Sequence, residues 1–296
     1  MSYSIYYFSG TGNSLHAAET LKEKLPDAGI YNIAVEFAER RFDIAAEALI
    51  FVFPAYAYEM PHMVRRFIKR AQIRCTYAAA LVTFGSHPGG ALAECKRLLK
   101  RKRIALSYAA KIPAVENFIA IFGSPTETER TKRLAMQEAA SEKAAADILN
   151  RKTNRVRSFR PFSKAVSCFF RAAKPLLVKM YEVTDECTGC GLCVRVCPAH
   201  AIESGEDGKP IFHTGCEVCQ SCLNYCPSHA INFFRLKTGA ARYRHPEIPA
   251  IRMVLRSNPR FADAAEAAEA APCGLADPSA AEGQEAAAEE VLPINA

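Results

Sequence analysis

The chain has 296 residues, half of them hydrophobic and 23% charged, which is room for two domains with a sizeable core and excludes a chain that is disordered throughout. No uncharged apolar run reaches the roughly 18 residues of a membrane span, and the first residues enter a β-like run without the order of a secretory signal, so the expected location is the cytoplasm. The formal net charge of +7 is unevenly spread: eight acids and no Lys or Arg lie from Asp263 to the end, leaving the remainder at +15, while residues 151–179 hold nine Lys or Arg and no acid.

In chain order, Ile5–Phe8 is a short β-like run, and Ser14–Leu25 carries Leu15, Ala18, Leu21 and Leu25 at helical spacing. Ile30–Val35 is again β-like. Ala48–Phe53 (ALIFVF) is a continuous apolar run, the pattern of a strand buried on both faces. Pro61–Ile73 is helical. Ala78–Phe84 is a second buried strand, Gly90–Arg101 a helix with a basic outer face, and Ile104–Tyr108 a fifth strand. Thr126–Asn150 is a strong amphipathic helix with Thr126 or Ser124 as its N-cap. Strands alternating with helices predict a parallel, doubly wound α/β sheet over residues 1–150. Residues 151–180 read as a basic linker with a helical second half. Residues 181–237 form a short, turn-rich, cysteine-dense unit. Residues 238–296 form an extension that is acidic and expected to be disordered after about 260.

The loop after the first strand reads Ser9-Gly10-Thr11-Gly12-Asn13-Ser14. A P-loop would need a Lys after its last Gly, and a dinucleotide fingerprint would need Gly at position 15, which is Leu. What remains is a cradle of hydroxyls and backbone N–H groups at a helix N-terminus, suited to a monophosphate neutralised by hydrogen bonds and the helix dipole. An ordinary capped turn without a ligand is the alternative.

The cysteine block repeats. Cys187, Cys190, Cys193 and Cys197 stand at C-x2-C-x2-C-x3-C-P, and Cys216, Cys219, Cys222 and Cys226 follow the same spacing 29 residues later. Pro198, His200, Ala201 and Ile202 recur as Pro227, His229, Ala230 and Ile231, so the block is an internal duplication. Three thiolates at two-residue intervals suit one corner of an iron–sulfur cube, whereas structural zinc favours paired two-cysteine knuckles around one tetrahedron. His200 and His229 read as packing or hydrogen-bonding residues. Cys75, Cys95, Cys168 and Cys273 lie outside the repeat, and Cys75 and Cys95 read as inert core thiols.

The cysteine spacing is similar to that of bacterial two-cluster ferredoxins, which implies two [4Fe-4S] clusters with exchanged fourth ligands. Cluster one would use Cys187, Cys190, Cys193 and Cys226. Cluster two would use Cys216, Cys219, Cys222 and Cys197. The loop SGTGNS directly after the first strand resembles the phosphate loop of flavodoxins. That resemblance implies a flavodoxin-like five-stranded sheet and bound FMN, with Ser9, Gly10, Thr11, Gly12, Asn13 and Ser14 around its phosphate. It also implies ring contacts from the loops after strands three and four: Pro54, Ala55, Tyr56, Ala57 and Tyr58, then Phe84, Gly85, Gly89 and Gly90. Many flavodoxins stack a Trp on the ring, and this chain has none. In order and length the whole resembles flavodoxin/ferredoxin fusion proteins of anaerobes: a flavodoxin-like α/β domain followed by a small α+β ferredoxin-type domain.

Two redox modules without a substrate signature lead to the expectation of an electron relay between the clusters and FMN. One alternative is an FMN-dependent reductase of a small molecule fed by the clusters, with Tyr56, Tyr58 or His87 as proton donor. Another is a redox-sensing or binding protein. The basic stretch at 151–179 suits a solvated linker face or an acidic redox partner such as a ferredoxin. A membrane surface is a further contact for it, and nucleic acid is disfavoured because no binding motif accompanies the charge.

Overall fold

A computed structural model describes residues 2–156, 161–234 and 240–257, with the backbone alone at 161–164 and 257. The expectations for the acidic tail, for Cys273 and for Arg157 and Arg160 of the basic stretch lie outside the described residues.

The first half runs β1 (Tyr3–Tyr7), α1 (Asn13–Lys24), β2 (Ala28–Asn32), α2 (Ile33–Ala38), β3 (Asp43–Ala45), β4 (Ala48–Pro54), α3 (His62–Arg70), β5 (Gln72–Arg74), β6 (Tyr77–Phe84), α4 (Ala91–Arg101), β7 (Tyr108–Pro113), α5 (Ile119–Phe122) and α6 (Glu127–Leu149). β1, β2, β4, β6 and β7 form one parallel sheet in the order β2-β1-β4-β6-β7, with Tyr3 level with both Ala28 and Ala48. Counting those five strands alone, the order is 2-1-3-4-5, the flavodoxin-type order, and β3 and β5 form a small parallel ladder beside it.

The period of two decides the two faces. Tyr3, Ile5, Tyr7, Ala48, Ile50 and Val52 meet α1 and α6 on one side, while Tyr6, Phe8, Leu49, Phe51 and Phe53 meet α3 and α4 on the other. That is why the apolar run at 48–53 is continuous. Thr126 is the N-cap of α6, in a reciprocal capping box with Glu129.

Three elements differ from expectation. The helix expected over 61–73 ends at Arg70, and Gln72–Arg74 extend as β5 to pair with β3. The second strand stops at Asn32, whose side chain accepts a bond from the Ala34 N–H at 2.9 Å and starts α2, so Ile33–Val35 is helical. The fifth strand spans Tyr108–Pro113 rather than Ile104–Tyr108. Arg103 turns the chain at φ 62°, Ile104 and Leu106 pack as irregular chain, and pairing with β6 begins at Tyr108 opposite Ala79. An edge strand with exposed Lys111 lacks the unbroken apolar signature of its buried neighbours. Asn154 covers part of its open edge, bonding both the N–H and the carbonyl of Ala109.

The second half continues with α7 (Pro161–Val178), β8 (Tyr181–Val183), α8 (Leu192–Arg195), β9 (Ile202–Ser204), β10 (Pro210–Phe212), α9 (Ser221–Tyr225), β11 (Ile231–Phe233) and α10 (Ala250–Ser257). β8 pairs antiparallel with β11, and β9 with β10. The halves share apolar packing: Leu192, Val196, Tyr225, Ile248, Met253 and Val254 belong to the same cluster as Ile5 and Leu15. Residues 243–254 therefore pack back on the sheet domain.

Asp147 joins α6 to the edge of the sheet. It accepts bonds from Tyr108 Oη (2.9 Å), Lys143 Nζ (2.6 Å) and Lys152 Nζ (2.7 Å), and the two lysines hold its carboxyl well below the usual range. With the folded value depressed, this stabilisation is complete above the unfolded pKa of about 3.9 and is lost as pH falls through the folded value. Asp147→Asn is expected to lower the melting temperature at neutral pH and to flatten its fall below pH about 4. Thermal unfolding of both proteins across that range is the check, and acid limbs that run parallel would contradict it.

Candidate functional site

The chain leaves β1 into a tight loop whose residues Ser9–Ser14 are all buried. Gly12 stands at φ 95° as the residue before α1 and offers no side-chain cap, so the first N–H groups of the helix are left to a ligand. Its position also requires Gly, because a Cβ would lie 2.8 Å from His245 Cβ and 2.9 Å from Ile248 Cβ. Ser9 Oγ accepts from the Gly12 N–H at 3.2 Å, and Thr11 Oγ1 accepts from Asn117 Nδ2 at 3.0 Å, so both hydroxyls keep a proton to donate. Ser14 Oγ and Thr83 Oγ1 share a 2.6 Å bond. The Asn13 side chain is a strut instead: Nδ2 donates to the Val115 carbonyl (3.0 Å), and Oδ1 accepts from Tyr243 Oη (2.7 Å).

This loop opens into a cleft of about 1070 Å³, its open mouth included, at the carboxyl end of the sheet. Ser9, Gly10, Thr11, Asn13 and Ser14 form its floor, and Pro54–Tyr58 and Phe84–His87 form two walls. Gly12, Gly89 and Gly90 do not reach it. Gly12 backs onto His245 and Ile248, and Gly90 N–H donates to the Tyr58 carbonyl at 2.8 Å, so Gly89 and Gly90 lock the two wall loops together. Among the described residues, no Lys or Arg lines the cleft.

Four contributions were not read from the sequence. The loop Ala114–Phe118 forms a third wall, α5 supplies Ile121 and Phe122, α7 supplies Val166 and Phe170, and the cysteine block supplies Val218 and Gln220. The wall 114–118 follows β7, and placing that strand five residues early hid it. Asn117 was legible in principle, as an amide just past a strand end. The α7 and cysteine-block contacts have no local signal.

Gly10 is where the halves touch. A Cβ there would stand 2.7 Å from Tyr56 Oη, 2.9 Å from the Cys219 carbonyl and 3.1 Å from Cys219 Cβ. Tyr56 Oη and Gln220 Oε1 are buried on this cleft without a hydrogen-bond partner. Burial, with Cys219 and Glu217 adjoining, keeps the Tyr56 hydroxyl protonated well above its ordinary value. Glu217 is buried, accepts from the His62 and Met63 N–H groups at 3.1 and 2.7 Å, and pairs with Lys174 Nζ at 2.8 Å.

The eight repeat cysteines gather as two quartets. Cys187, Cys190, Cys193 and Cys226 line one small cavity near the surface, with Cys190 exposed. Cys197, Cys216, Cys219 and Cys222 are all buried and act on one another electrostatically. Burial pushes the Cys193 thiol up to about 12 and Cys216 up to about 11, so the thiolates need a compensating cation. Backbone N–H groups already point at sulfur, from Ala201 to Cys197 Sγ (3.4 Å) and from Val218 to Cys216 Sγ (3.2 Å). The duplication extends to the backbone. Left-handed residues Gly189, Gly191 and His200 recur 29 positions on as Val218, Gln220 and His229, so even a β-branched residue is held at φ 54°. Outside the quartets, Cys95 is buried and its thiol is pushed up by desolvation, while Cys168 is exposed on α7. Among the described residues, no three His, Cys, Asp or Glu side chains form a set suited to one metal ion.

Residues 180–203 match the family model described as a 4Fe-4S binding domain. No curated protein sequence matches the chain. Among solved structures, the chain is similar to the Trp repressor binding protein of Bacillus subtilis (14% identity, 51% of this chain and 99% of that one, TM-score 0.35). It is also similar to a flavodoxin of Streptococcus pneumonia TIGR4 (19%, 49% and 99%, TM-score 0.31) and to the two-electron reduced flavodoxin of Megasphaera elsdenii (15%, 49% and 99%, TM-score 0.32). The strand order, not these likenesses, defines the fold. The first half is thus a flavodoxin-like α/β domain. The chain as a whole joins that domain to a 4Fe-4S ferredoxin-type domain, and is an iron–sulfur protein on a flavodoxin-like scaffold.

The unpaired Tyr56 hydroxyl is the polar group of the cleft with most to gain from a ligand. Tyr56→Phe removes a buried hydroxyl that bonds nothing, so the variant is expected to keep the parent's melting temperature, while its affinity for FMN, used as a probe of the cleft, falls about fivefold or more. Quenching of flavin fluorescence on titration reads the second quantity. Equal affinity would show that this hydroxyl does not meet the ligand.

Proposed function

We propose that the chain is an electron-transfer protein that holds two [4Fe-4S] clusters and one FMN and passes electrons between them. The observation that carries this reading is the close approach of Cys219 to Gly10, with its chain neighbours Val218 and Gln220 on the wall of the cleft, which sets one cysteine quartet directly behind that wall. Clusters pass single electrons, and a bound flavin takes or gives one or two, so together they convert between the two kinds of traffic.

FMN is supported by what the cleft offers. Ser9 and Thr11 hydroxyls and the first N–H groups of α1 donate to a phosphate, with the helix dipole in place of a cation. Tyr56 Oη and Gln220 Oε1 are buried groups still to be paired, and Gly10 keeps the floor low enough for Tyr56 and Cys219 to close over it. Ile121, Phe122, Val166 and Phe170 bring apolar surface from α5 and α7 to the same cleft. Two clusters are supported by the two quartets and by the left-handed backbone positions that recur at the same offset. In this reading Cys187, Cys190, Cys193 and Cys226 hold cluster one, and Cys197, Cys216, Cys219 and Cys222 hold cluster two. N–H groups of Ala201 and Val218 bond the sulfurs and favour the thiolate forms.

An anaerobic preparation is expected to hold about eight iron, eight acid-labile sulfide and one FMN per chain. Zinc without sulfide would overturn the reading. In anaerobic stopped flow, bleaching of the clusters by dithionite should be followed by bleaching of the flavin. Cluster reduction that never reaches the flavin would remove the relay and leave two independent cofactor sites.

A further inference from the structure

The duplication compares the two cluster sites inside one chain. In the second repeat, three residues of the contact with the flavodoxin-like half have informative counterparts: Glu217 caps α3, Cys219 touches Gly10, and Asn224 Nδ2 donates to the Asn117 carbonyl at 3.3 Å. Their counterparts 29 residues earlier are Thr188, Cys190 and Arg195. Thr188, Gly189 and Cys190 are exposed, and Arg195 Nη2 donates to the carbonyl of Cys190 itself (3.1 Å). The face through which one quartet meets the flavin cleft is therefore presented to solvent by the other.

The two faces differ in charge. Asp185 and Glu186 precede the outward face, where the second repeat has Thr214 and Gly215. The turn carrying Glu206 and Asp207 lies beside it, because a Cβ on Gly208 would stand 3.5 Å from Gly189 Cα. All four acids are exposed, and Lys209 pairs with Asp185 at 2.9 Å. Four of the nine cations of the basic stretch, by contrast, already have partners within the molecule. Lys152 bonds Asp147, Arg171 bonds Glu59, Lys174 bonds Glu217, and the Arg151 guanidinium lies 5.0 Å from the Tyr77 ring centre.

We propose that the surface around Cys190 is the docking face for an external redox protein whose own centre is ringed by Lys and Arg. The proposal rests on the two-cluster reading above. It reverses the expectation of an acidic partner drawn from the basic stretch. The outward face repeats the geometry of the internal contact, and its acids, added to the negative charge of a thiolate-bound cluster, favour a cationic rim. One electron crosses this face per encounter, leaving the donor centre oxidised by one and the acceptor centre reduced by one, with no atom transferred.

Ferricytochrome c, whose haem edge is surrounded by lysines, is a suitable probe and the one-electron oxidant. The reduced holoprotein is expected to bind it at about 10 mM salt and to reduce it at a rate that falls steeply as salt rises to about 200 mM. The variant carrying Asp185→Asn, Glu186→Gln, Glu206→Gln and Asp207→Asn should bind about tenfold more weakly by calorimetry and lose most of the salt dependence. Its iron, sulfide and FMN content should match the parent. A second variant, Arg155→Gln with Lys179→Gln, should leave cytochrome c binding unchanged. Equal binding by parent and acid-neutralised variant would overturn the proposal, as would tighter binding of an acidic two-cluster ferredoxin that the second variant abolishes. A parent protein lacking the clusters fails the relay reading instead, and the cofactor analysis separates the two results.

Discussion

A buried carboxylate, Glu217, ties the cysteine block to α3 and α7. Glu217 lies between Cys216 and Cys219 and is screened from water by α3 and α7. A carboxylate in that position is costly unless it is paired and hydrogen-bonded. Here the first two N–H groups of α3 and the Lys174 ammonium all converge on it. The helix end supplies partial positive charge, and the lysine supplies the rest. Three elements distant in sequence are thereby bound to one point. The loop holding Cys219 can then reach Gly10, and α7 can bring Val166 and Phe170 to the cleft.

A second set of bonds runs from the cluster side to the phosphate-type loop. Asn224 stands between Cys222 and Cys226. Its Nδ2 donates to the Asn117 carbonyl and its Oδ1 accepts from the Tyr243 N–H. Asn117 in turn bonds Thr11, and Tyr243 bonds Asn13. The segment 243–254 therefore acts as a brace: His245 N–H donates to the Thr11 carbonyl, Ile248 fills the space behind Gly12, and Tyr225 Oη donates to the Ile248 carbonyl. The loop is held from behind by the same residues that pack the ligand helix of the second repeat. Shape at the cleft and shape at the buried quartet are set by one continuous structure.

Divergence within the duplication follows this division. The second repeat carries Glu217 and Asn224, each bonded into the flavodoxin-like half, and Tyr225, bonded to the brace at Ile248, where the first has Thr188, Arg195 and Val196. It also keeps Val218 and Gln220 in a left-handed conformation that the first repeat reaches with glycine. That strain is tolerated because both side chains are buried, Val218 in the apolar cluster of the second half and Gln220 through its bond to Tyr181. The first repeat, with glycines and an exposed cysteine, retains a bare face.

Much of this was legible in the residues alone, and the gaps have physical causes. Buried parallel strands such as 48–53 and 78–84 announce themselves by unbroken apolar runs, and the loop SGTGNS and the two cysteine frames by residue types at short intervals. β7 was displaced because an edge strand carries Lys111 and lacks that run. The wall at Ala114–Phe118 vanished with it. Asn13 illustrates a different limit: its place in the loop was plain, but its side chain is spent on Val115 and Tyr243, partners 102 and 230 residues away. The sequence by itself determined the fold class of the first half and the cysteine frames of the second, because strand periodicity and residue spacing are local properties of the chain. Only the tertiary structure decided that the second quartet lies against the wall of the cleft and the first toward solvent, because that choice rests on contacts such as Glu217 with α3 and Cys219 with Gly10, which no local pattern encodes.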